Sequence, residues 1–300
     1  MARVRYVIPG ILISLTMVGA VPASAQTPAK PPVVATFSIL ADFARNVGGD
    51  RIEVAALVGP DGDTHVYQPK PADAKELGAA RLIVVNGLGL EGWIDRLIKA
   101  SGAKAPVIVA TKGINPQKMR EEGRIGPDPH AWQSIANAKI YVANIRDGLI
   151  AADPEGEAAY RANADNYLGK LDALDAEVKS EIAKIPPGRR QIITTHDAFG
   201  YFGTAYGFRF IAPEGISTET EASARDVAKI IRQIKAQKIP AVFLENVTDP
   251  RLVRRIAAES GATVGGTLYS DALSPPDGPA STYIAMMRNN VRELSAALAN

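Results

Sequence analysis

The chain has 300 residues, with 34 Lys and Arg against 32 Asp and Glu, a formal net charge of +2, and 46% apolar residues. This near-neutral balance, in which no run of Lys or Arg is longer than a pair, argues against nucleic acid or an anionic membrane as a partner. With no cysteine, the chain has neither disulfides nor a cysteine for lipid attachment, and its three histidines are few enough for the position of each to be informative.

The first residues predict an export signal. A basic start, Met1 to Arg5, is followed by an apolar stretch to about Val21 and by the small-residue cleavage pattern Ala23-Ser24-Ala25. We expect residues 1–25 to be a signal peptide, too short for a membrane span, and residues 26–32 to be a disordered mature N-terminus. We therefore expect a free periplasmic protein that is not membrane-embedded, with secretion from a Gram-positive cell as the alternative.

The rest of the chain alternates short apolar runs with longer helix-like stretches. Continuous runs of β-branched residues are typical of buried parallel strands, which helices must connect. The pattern therefore predicts an α/β fold throughout. The predicted strands are Val33 to Phe37, Ile52 to Val58, Leu82 to Val85, Val107 to Val109, Gln191 to Thr194, Ala241 to Leu244 and Thr263 to Leu268. The predicted helices are Ala72 to Ala80, Gly92 to Lys99, Ala131 to Ile150, Ala222 to Gln237, Pro250 to Ser260 and Ser281 to Leu298.

One further predicted helix is unusually long. Between the two sets of strands, apolar residues recur at three- and four-residue steps from Pro154 to Ile185, before a Pro-Pro-Gly stop. A helix of about 28 residues would span about 42 Å. We expect residues 154–186 to be a rigid connector between an N-terminal α/β lobe at 33–153 and a C-terminal α/β lobe at 187–300. An ordinary amphipathic helix packed on a sheet would have the same pattern.

Four potential metal ligands lie next to predicted elements. His65 follows the second strand, His130 precedes a predicted helix, and His196 and Asp271 follow strands of the second half. In open α/β sheets, ligands bind outside the carboxyl ends of the strands, so these loops can meet in a cleft between the lobes. Three imidazoles with one carboxylate are a donor set suited to zinc.

Each of these residues also has a simpler interpretation. A single histidine is more often a surface, capping or core residue than a ligand, and Asp128 or Asp271 could form a cap or a turn. Near them, Glu245 is expected to support the site rather than to bind metal, Asp197 to cap the next helix, and Asp63 to lie in a solvated turn. The joint placement of the four candidates favours a metal site over these separate roles.

Four segments carry a family resemblance: Asp63-Thr64-His65-Val66-Tyr67-Gln68-Pro69, Asp128-Pro129-His130-Ala131-Trp132, His196-Asp197-Ala198-Phe199-Gly200-Tyr201-Phe202 and Ser270-Asp271-Ala272-Leu273. In this order they resemble the ligand-bearing motifs of the zinc and manganese solute-binding proteins of ABC transporters. The resemblance implies two α/β lobes joined by one long helix, with one divalent metal ion bound in the cleft between the lobes. It also implies delivery of that ion to an ABC-type permease in the inner membrane. Carried over position by position, it implies the metal ligands His65, His130, His196 and Asp271.

The third ligand bears on the choice of metal. Members of this family that favour manganese carry glutamate there, whereas zinc members tend to carry histidine, as this chain does at His196. Manganese also prefers more oxygen ligands than this set offers. We therefore expect one Zn²⁺ per chain, with Mn²⁺ as the alternative. The chain departs from many zinc members in lacking a long His- and acid-rich loop after His65.

Two other classes of function are weaker alternatives. A secreted zinc hydrolase would bind the metal with the three histidines and use Asp271 or Glu245 as a base. However, the chain has no H-E-x-x-H pattern, and four protein ligands would close the site to substrate. A surface adhesion protein would need an anchor, which we do not expect here. The sequence therefore predicts a metal-binding protein rather than an enzyme, and we assume that it is a monomer, since a binding protein of this kind needs no second copy.

Overall fold

Two parallel β-sheets form the framework of the chain, which a computed structural model describes at residues 1, 2, 4, 30–121, 124–215, 218–219 and 222–299. The predicted signal peptide falls almost wholly outside this range, as do residues 26–29 of the predicted disordered segment. Pro32, also predicted to be disordered, is instead the first residue of a strand. Within the described ranges, none of the helices combines the length and the apolar character needed to cross a membrane.

The first half of the chain builds a four-stranded sheet and a small hairpin. In the sheet, the strand order is second, first, third, fourth, and all neighbours are parallel. Its central strands are buried on both faces, as their continuous apolar sequences predict. The strands are β1 (Pro32–Phe37), β2 (Glu53–Val58), β3 (Leu82–Val85) and β4 (Val107–Val109), and the hairpin is β5 (Lys118–Glu121) with β6 (Arg124–Pro127). The helices are α1 (Ser38–Gly48), α2 (Pro71–Ala79), α3 (Ile94–Ser101) and α4 (Ile135–Ala152).

A 27-residue helix, α5 (Glu157–Ala183), leads from the first half to the second. It follows a 3-10 turn at Pro154–Gly156 and ends shortly before Pro186. It packs against α1 and α4 of the first half and against the C-terminal helix of the second half. Its buried residues recur at three- and four-residue steps: Tyr160, Ala164, Tyr167, Leu171, Leu174, Val178 and Ile182. The predicted long connecting helix is therefore present, and it contacts both halves.

The second half repeats the topology of the first. Numbered along the second half of the chain, its four strands again lie in the order second, first, third, fourth, and all neighbours are parallel. In both sheets the chain reverses its direction of travel between the first and third strands, where open α/β sheets form binding crevices. The strands are β7 (Gln191–Ile193), β8 (Arg209–Ile211), β9 (Ala241–Glu245) and β10 (Thr263–Leu268). The helices are α6 (Gly200–Tyr206), α7 (Ala224–Gln237), α8 (Pro250–Ser260) and α9 (Tyr283–Leu298).

A shared core joins the two halves. The ring of Phe43 on α1 lies 4.8 Å from that of Tyr283 on α9, and it also contacts Tyr141 on α4 and Tyr167 on α5. These rings belong to one continuous cluster of buried residues that includes parts of both sheets. A second, smaller cluster fills the space between α7, α8 and the second sheet. The predicted fold class, two α/β lobes joined by one long helix, is confirmed.

Several elements differ from the sequence prediction. Helix α1 was not predicted, although its polar residues Ser38, Asp42, Arg45 and Asn46 recur at helical spacing. It follows β1 directly, with no turn residue to mark its start, and nine of its eleven residues are buried. The hairpin, α6 and β8 are too short to give a periodic signal. The helix predicted from Ala131 is interrupted: a 3-10 turn spans Ala131–Gln133, and α4 begins at Ile135.

Candidate metal centre

The four predicted ligands converge on one point. One donor atom from each of His65, His130, His196 and Asp271 lies within 4.8 Å of the others. The Nε2 atom of His65 is 3.2 Å from that of His130 and 3.2 Å from Oδ2 of Asp271. His196 Nε2 is 3.1 Å from the same carboxylate oxygen. Tetrahedral zinc ligands at their usual bond lengths are about 3.3 Å apart, so the spacing fits a single small ion.

Each predicted ligand lies in a loop next to a helix, strand or turn. His65 lies in the turn after β2, and His130 follows the hairpin strand β6 and precedes the 3-10 turn. His196 and Asp271 each come three residues after a strand of the second sheet, β7 and β10. His130, His196 and Asp271 are completely buried, whereas His65 keeps 8% of its surface exposed. The two halves therefore contribute two side chains each, and His65 is the one closest to solvent.

Two carboxylates orient two of the imidazole rings. Oδ1 of Asp128 lies 2.8 Å from Nδ1 of His130, and Oε2 of Glu245 lies 2.6 Å from Nδ1 of His196. The other oxygen of Glu245 accepts the backbone N–H groups of Thr195 and His196, at 2.6 and 3.0 Å. A carboxylate facing Nδ1 keeps a proton on that nitrogen and leaves Nε2 free to bind a metal. Both rings thus present the same nitrogen to the centre.

The loop that carries Asp271 is held from the other half of the chain. Trp132 Nε1 and Gln133 Nε2, in the 3-10 turn after His130, both donate to the backbone carbonyl of Ser270, at 2.9 and 2.7 Å. These side chains are fully buried. Sequence reasoning did not single out either interaction, since its only signal was the proximity of the two residues to His130.

Two acidic residues near the ligands have roles other than those predicted. Asp63 is not simply a solvated turn: Oδ1 accepts the backbone N–H of His65 at 2.9 Å, and Oδ2 accepts the hydroxyl of Thr218 at 2.6 Å. Asp197 does not cap α6, whose N-cap residue is Phe199. Burial, together with the charge of Asp128, raises the pKa of Asp197 to about 6.

The charges at the centre are strongly coupled. Burial lowers the pKa of His196, but the carboxylates of Glu245 and Asp271 outweigh burial and raise that pKa well above its ordinary value. Burial raises the pKa of Asp271, but His196 and His130 outweigh it and hold that pKa well below the usual range. Asp271 is therefore ionised at neutral pH, and its buried Oδ1 atom accepts no hydrogen bond. A bound cation would satisfy this oxygen, so the donor set and its charge fit a divalent metal ion.

Residues 33–297 match the family described as ZnuA, zinc-uptake complex component A, periplasmic. Among similar proteins is the iron-binding protein YfeA of Yersinia pestis, which is 37% identical over 267 residues, 89% of this chain and 86% of YfeA.

Solved structures of periplasmic metal-binding proteins are also similar to this chain. A manganese-bound periplasmic metal-binding protein from Candidatus Liberibacter asiaticus is 33% identical, with a TM-score of 0.80 over 89% of this chain and 99% of that one. The periplasmic zinc-binding protein TroA from Treponema pallidum is 31% identical, with a TM-score of 0.86 over 91% of this chain and 100% of that one. The similar proteins thus share the binding of a metal but are named for different metals.

Proposed function

The chain belongs to the family of periplasmic zinc-uptake complex component A proteins, and on this premise we propose that it captures one zinc ion and delivers it to an ABC-type permease in the inner membrane. Members of this family are metal-binding substrate-binding proteins of ABC transporters and not enzymes, and this chain is one of them. The metal is its cargo. The proposed ligands are His65, His130, His196 and Asp271.

One observation carries the proposal: four donors from separate loops of both halves converge within 4.8 Å, and three of them are completely buried. Four protein ligands complete a tetrahedral shell and leave no position for the reactive water of a zinc hydrolase. The hydrolase alternative has no support from the family either.

Zinc is favoured over manganese by the chemistry of the donors. Three imidazole nitrogens and one carboxylate suit zinc, and a nitrogen-rich site binds zinc more tightly than manganese in the general order of divalent metals. Manganese is the second candidate, because a relative of 33% identity with the same fold is manganese-bound. Supply of the metal, rather than intrinsic affinity, would then decide what the protein carries.

The first test is the metal content of the protein purified from its own cell envelope, measured by mass spectrometry. We expect about one zinc per chain, as four ligands around one ion require. Competition on the stripped protein follows, and manganese in excess should not displace zinc. A predominance of manganese that zinc cannot displace would favour the second candidate. A protein that binds neither metal would contradict the proposal.

The ligand set is tested by single substitutions and calorimetric titration with zinc. Replacement of His65, His130 or His196 by alanine should weaken binding by orders of magnitude, and Asp271→Ala should weaken it less. Asp277→Ala is the matched control, because Asp277 is an exposed acidic residue in the same loop as Asp271. A histidine variant that binds zinc as tightly as the parent would not be a ligand.

We also propose that residues 1–25 are removed during export and that the protein acts as a monomer in the periplasm. Amino-terminal sequencing of the mature protein should begin at Gln26. Light scattering on the metal-loaded protein should give the mass of one chain. A mature protein that keeps the basic start, or a stable dimer, would contradict these two points.

A further inference from the structure

We infer that Gly200 and Tyr201, at the start of α6, are positioning residues of the metal centre. They hold Asp128, the carboxylate that orients His130, against the segment of the other half that carries His196. The inference rests on the proposed metal-binding function and adds two residues to the four proposed ligands and their carboxylate partners.

The hydroxyl of Tyr201 fixes the backbone that leads to His130. It donates to the carbonyl of Asp128 at 2.9 Å and accepts the backbone N–H of Gln117 at 3.0 Å. Gln117 in turn accepts the backbone N–H of Asp128 at 2.8 Å, so the hydroxyl lies at the base of the β5–β6 hairpin. Tyr201 is only 3% exposed and Asp128 is completely buried. Because buried backbone groups require partners, this hydroxyl ties the hairpin to α6, which Gln117 also contacts through its amide N–H to the Thr204 hydroxyl at 3.0 Å.

The absence of a side chain at Gly200 lets α6 pack closely against the Asp128 side chain. A Cβ atom at Gly200 would lie 2.8 Å from Oδ2 of Asp128 and 3.3 Å from Oε1 of Gln117. The first of these distances is shorter than carbon and oxygen atoms tolerate. The other oxygen of the same carboxylate, Oδ1, is the one that faces Nδ1 of His130. Any side chain at position 200 would therefore displace the carboxylate that orients the ring.

The two contacts link ligands from different halves of the chain. His196 and Tyr201 are five residues apart in one segment, and Tyr201 and Gly200 both contact Asp128, which contacts His130. The rings of His130 and His196 have centroids 5.4 Å apart. Partners that orient metal-binding histidines typically change metal affinity by about 10- to 100-fold when they are lost. Loosening Asp128 should therefore weaken metal binding without removing any ligand.

The test compares two tyrosine-to-phenylalanine variants of the full-length protein on the same helix. Tyr201→Phe should weaken zinc binding by about 10-fold or more, measured by competition with a chelator of known affinity. Tyr206→Phe is the control, because the Tyr206 hydroxyl donates to Asp175 on α5 at 2.9 Å and is not linked to Asp128. The control should bind zinc as the parent does. Equal affinity of Tyr201→Phe and the parent, or equal losses in both variants, would overturn the inference.

A double substitution separates positioning from a general structural effect. If Tyr201 acts through Asp128, adding Tyr201→Phe to Asp128→Asn should cost much less affinity than Tyr201→Phe costs alone. Gly200→Ala should show the same dependence on Asp128. Losses that multiply independently would mean that Tyr201 does not act through this carboxylate. A parent protein that binds no zinc or manganese would contradict the proposed function itself, whereas a parent that binds and variants that match it would contradict only the inference.

Discussion

The two carboxylate oxygens of Glu245 contact different partners. One accepts two backbone N–H groups of the loop after β7, and the other lies 2.6 Å from Nδ1 of His196. We expect Glu245→Gln, which keeps the size but removes the charge, to weaken zinc binding by about 10- to 100-fold. It should also lower the pKa of His196, since the charge of Glu245 contributes to raising that pKa. Calorimetric titration and an NMR titration of the metal-free protein measure the two effects.

The control for this substitution is Glu259→Gln on α8. Glu259 pairs with Arg255 on the surface of the same half, and neither contacts the metal centre. The control should bind zinc as the parent does. If Glu245→Gln also binds zinc like the parent, Glu245 does not orient His196.

Individual residues were predictable from the sequence to different degrees. His65, His130 and His196 could be proposed because histidine is rare in this chain and each lies beside an element boundary, and Asp271 because it follows a predicted strand. Their partners could not, since the choice of which carboxylate faces which ring depends on how loops from two halves pack together. Asp128 could equally have been a cap, and nothing in the sequence joins Trp132 to the carbonyl of Ser270.

Among the elements, α5 stabilises the fold through one buried face. Leu171 on this face is completely buried, whereas Leu168, one turn earlier, is half-buried. Leu171→Ala is expected to lower the free energy of unfolding by about 2–5 kcal/mol, because it removes a buried side chain and leaves a cavity. Leu168→Ala should cost clearly less. Urea denaturation of the metal-free protein measures both, and equal losses would contradict the assigned face.

Asp42 connects three helices and makes their packing sensitive to pH. From α1 it accepts the backbone N–H of Tyr283 on α9 at 3.0 Å and the hydroxyl of Tyr167 on α5 at 3.4 Å. Burial outweighs these hydrogen bonds and raises the pKa of Asp42. Since the folded state then binds the proton more tightly than the unfolded state, this group adds stability as the pH falls through its raised pKa.

Asp42→Asn isolates that contribution. The free energy of unfolding of the parent, relative to that of the variant, should increase as the pH falls from neutral towards the ordinary aspartate pKa of about 3.9. Urea denaturation of the metal-free proteins over this range gives the difference at each pH. A difference that does not change with pH would mean that Asp42 titrates alike in both states.

The elements that the sequence predicted well are those with a simple burial pattern. The core strands β1, β3, β7 and β9 are short apolar runs between polar turns, and α5 and α7 have a single apolar face. Helix α1 also has an apolar face, but it follows β1 without a turn, and the sheet, α4, α5 and α9 surround it. The common strand order of the two sheets was also not visible, since topology depends on contacts between distant strands.

For the whole molecule, metal binding and stability are linked through the charge of the centre. The raised pKa of His196 stabilises the metal-free fold below the ordinary histidine pKa of about 6.5, and this contribution is lost as the pH rises through the raised value. Zinc binding, in contrast, strengthens as the pH rises, because zinc binds only neutral imidazoles. The increase in melting temperature caused by a fixed zinc concentration should therefore grow with pH. If the increase in melting temperature caused by zinc does not change with pH, the linkage is contradicted.

The same linkage predicts that zinc displaces a proton. Glu245 and Asp271 outweigh the effect of burial and raise the pKa of His196, which favours its protonated form in the metal-free protein; zinc must remove that proton to bind Nε2. About one proton should leave per ion bound, so the affinity should fall about ten-fold for each unit by which the pH is lowered. Titration in two buffers of different ionisation enthalpy measures the release, because the observed heat then differs between buffers in proportion to it. Glu245→Gln, in which the pKa of His196 is lower, should release fewer protons at the same pH. If the parent gives equal heats in both buffers, His196 is already neutral before zinc binds.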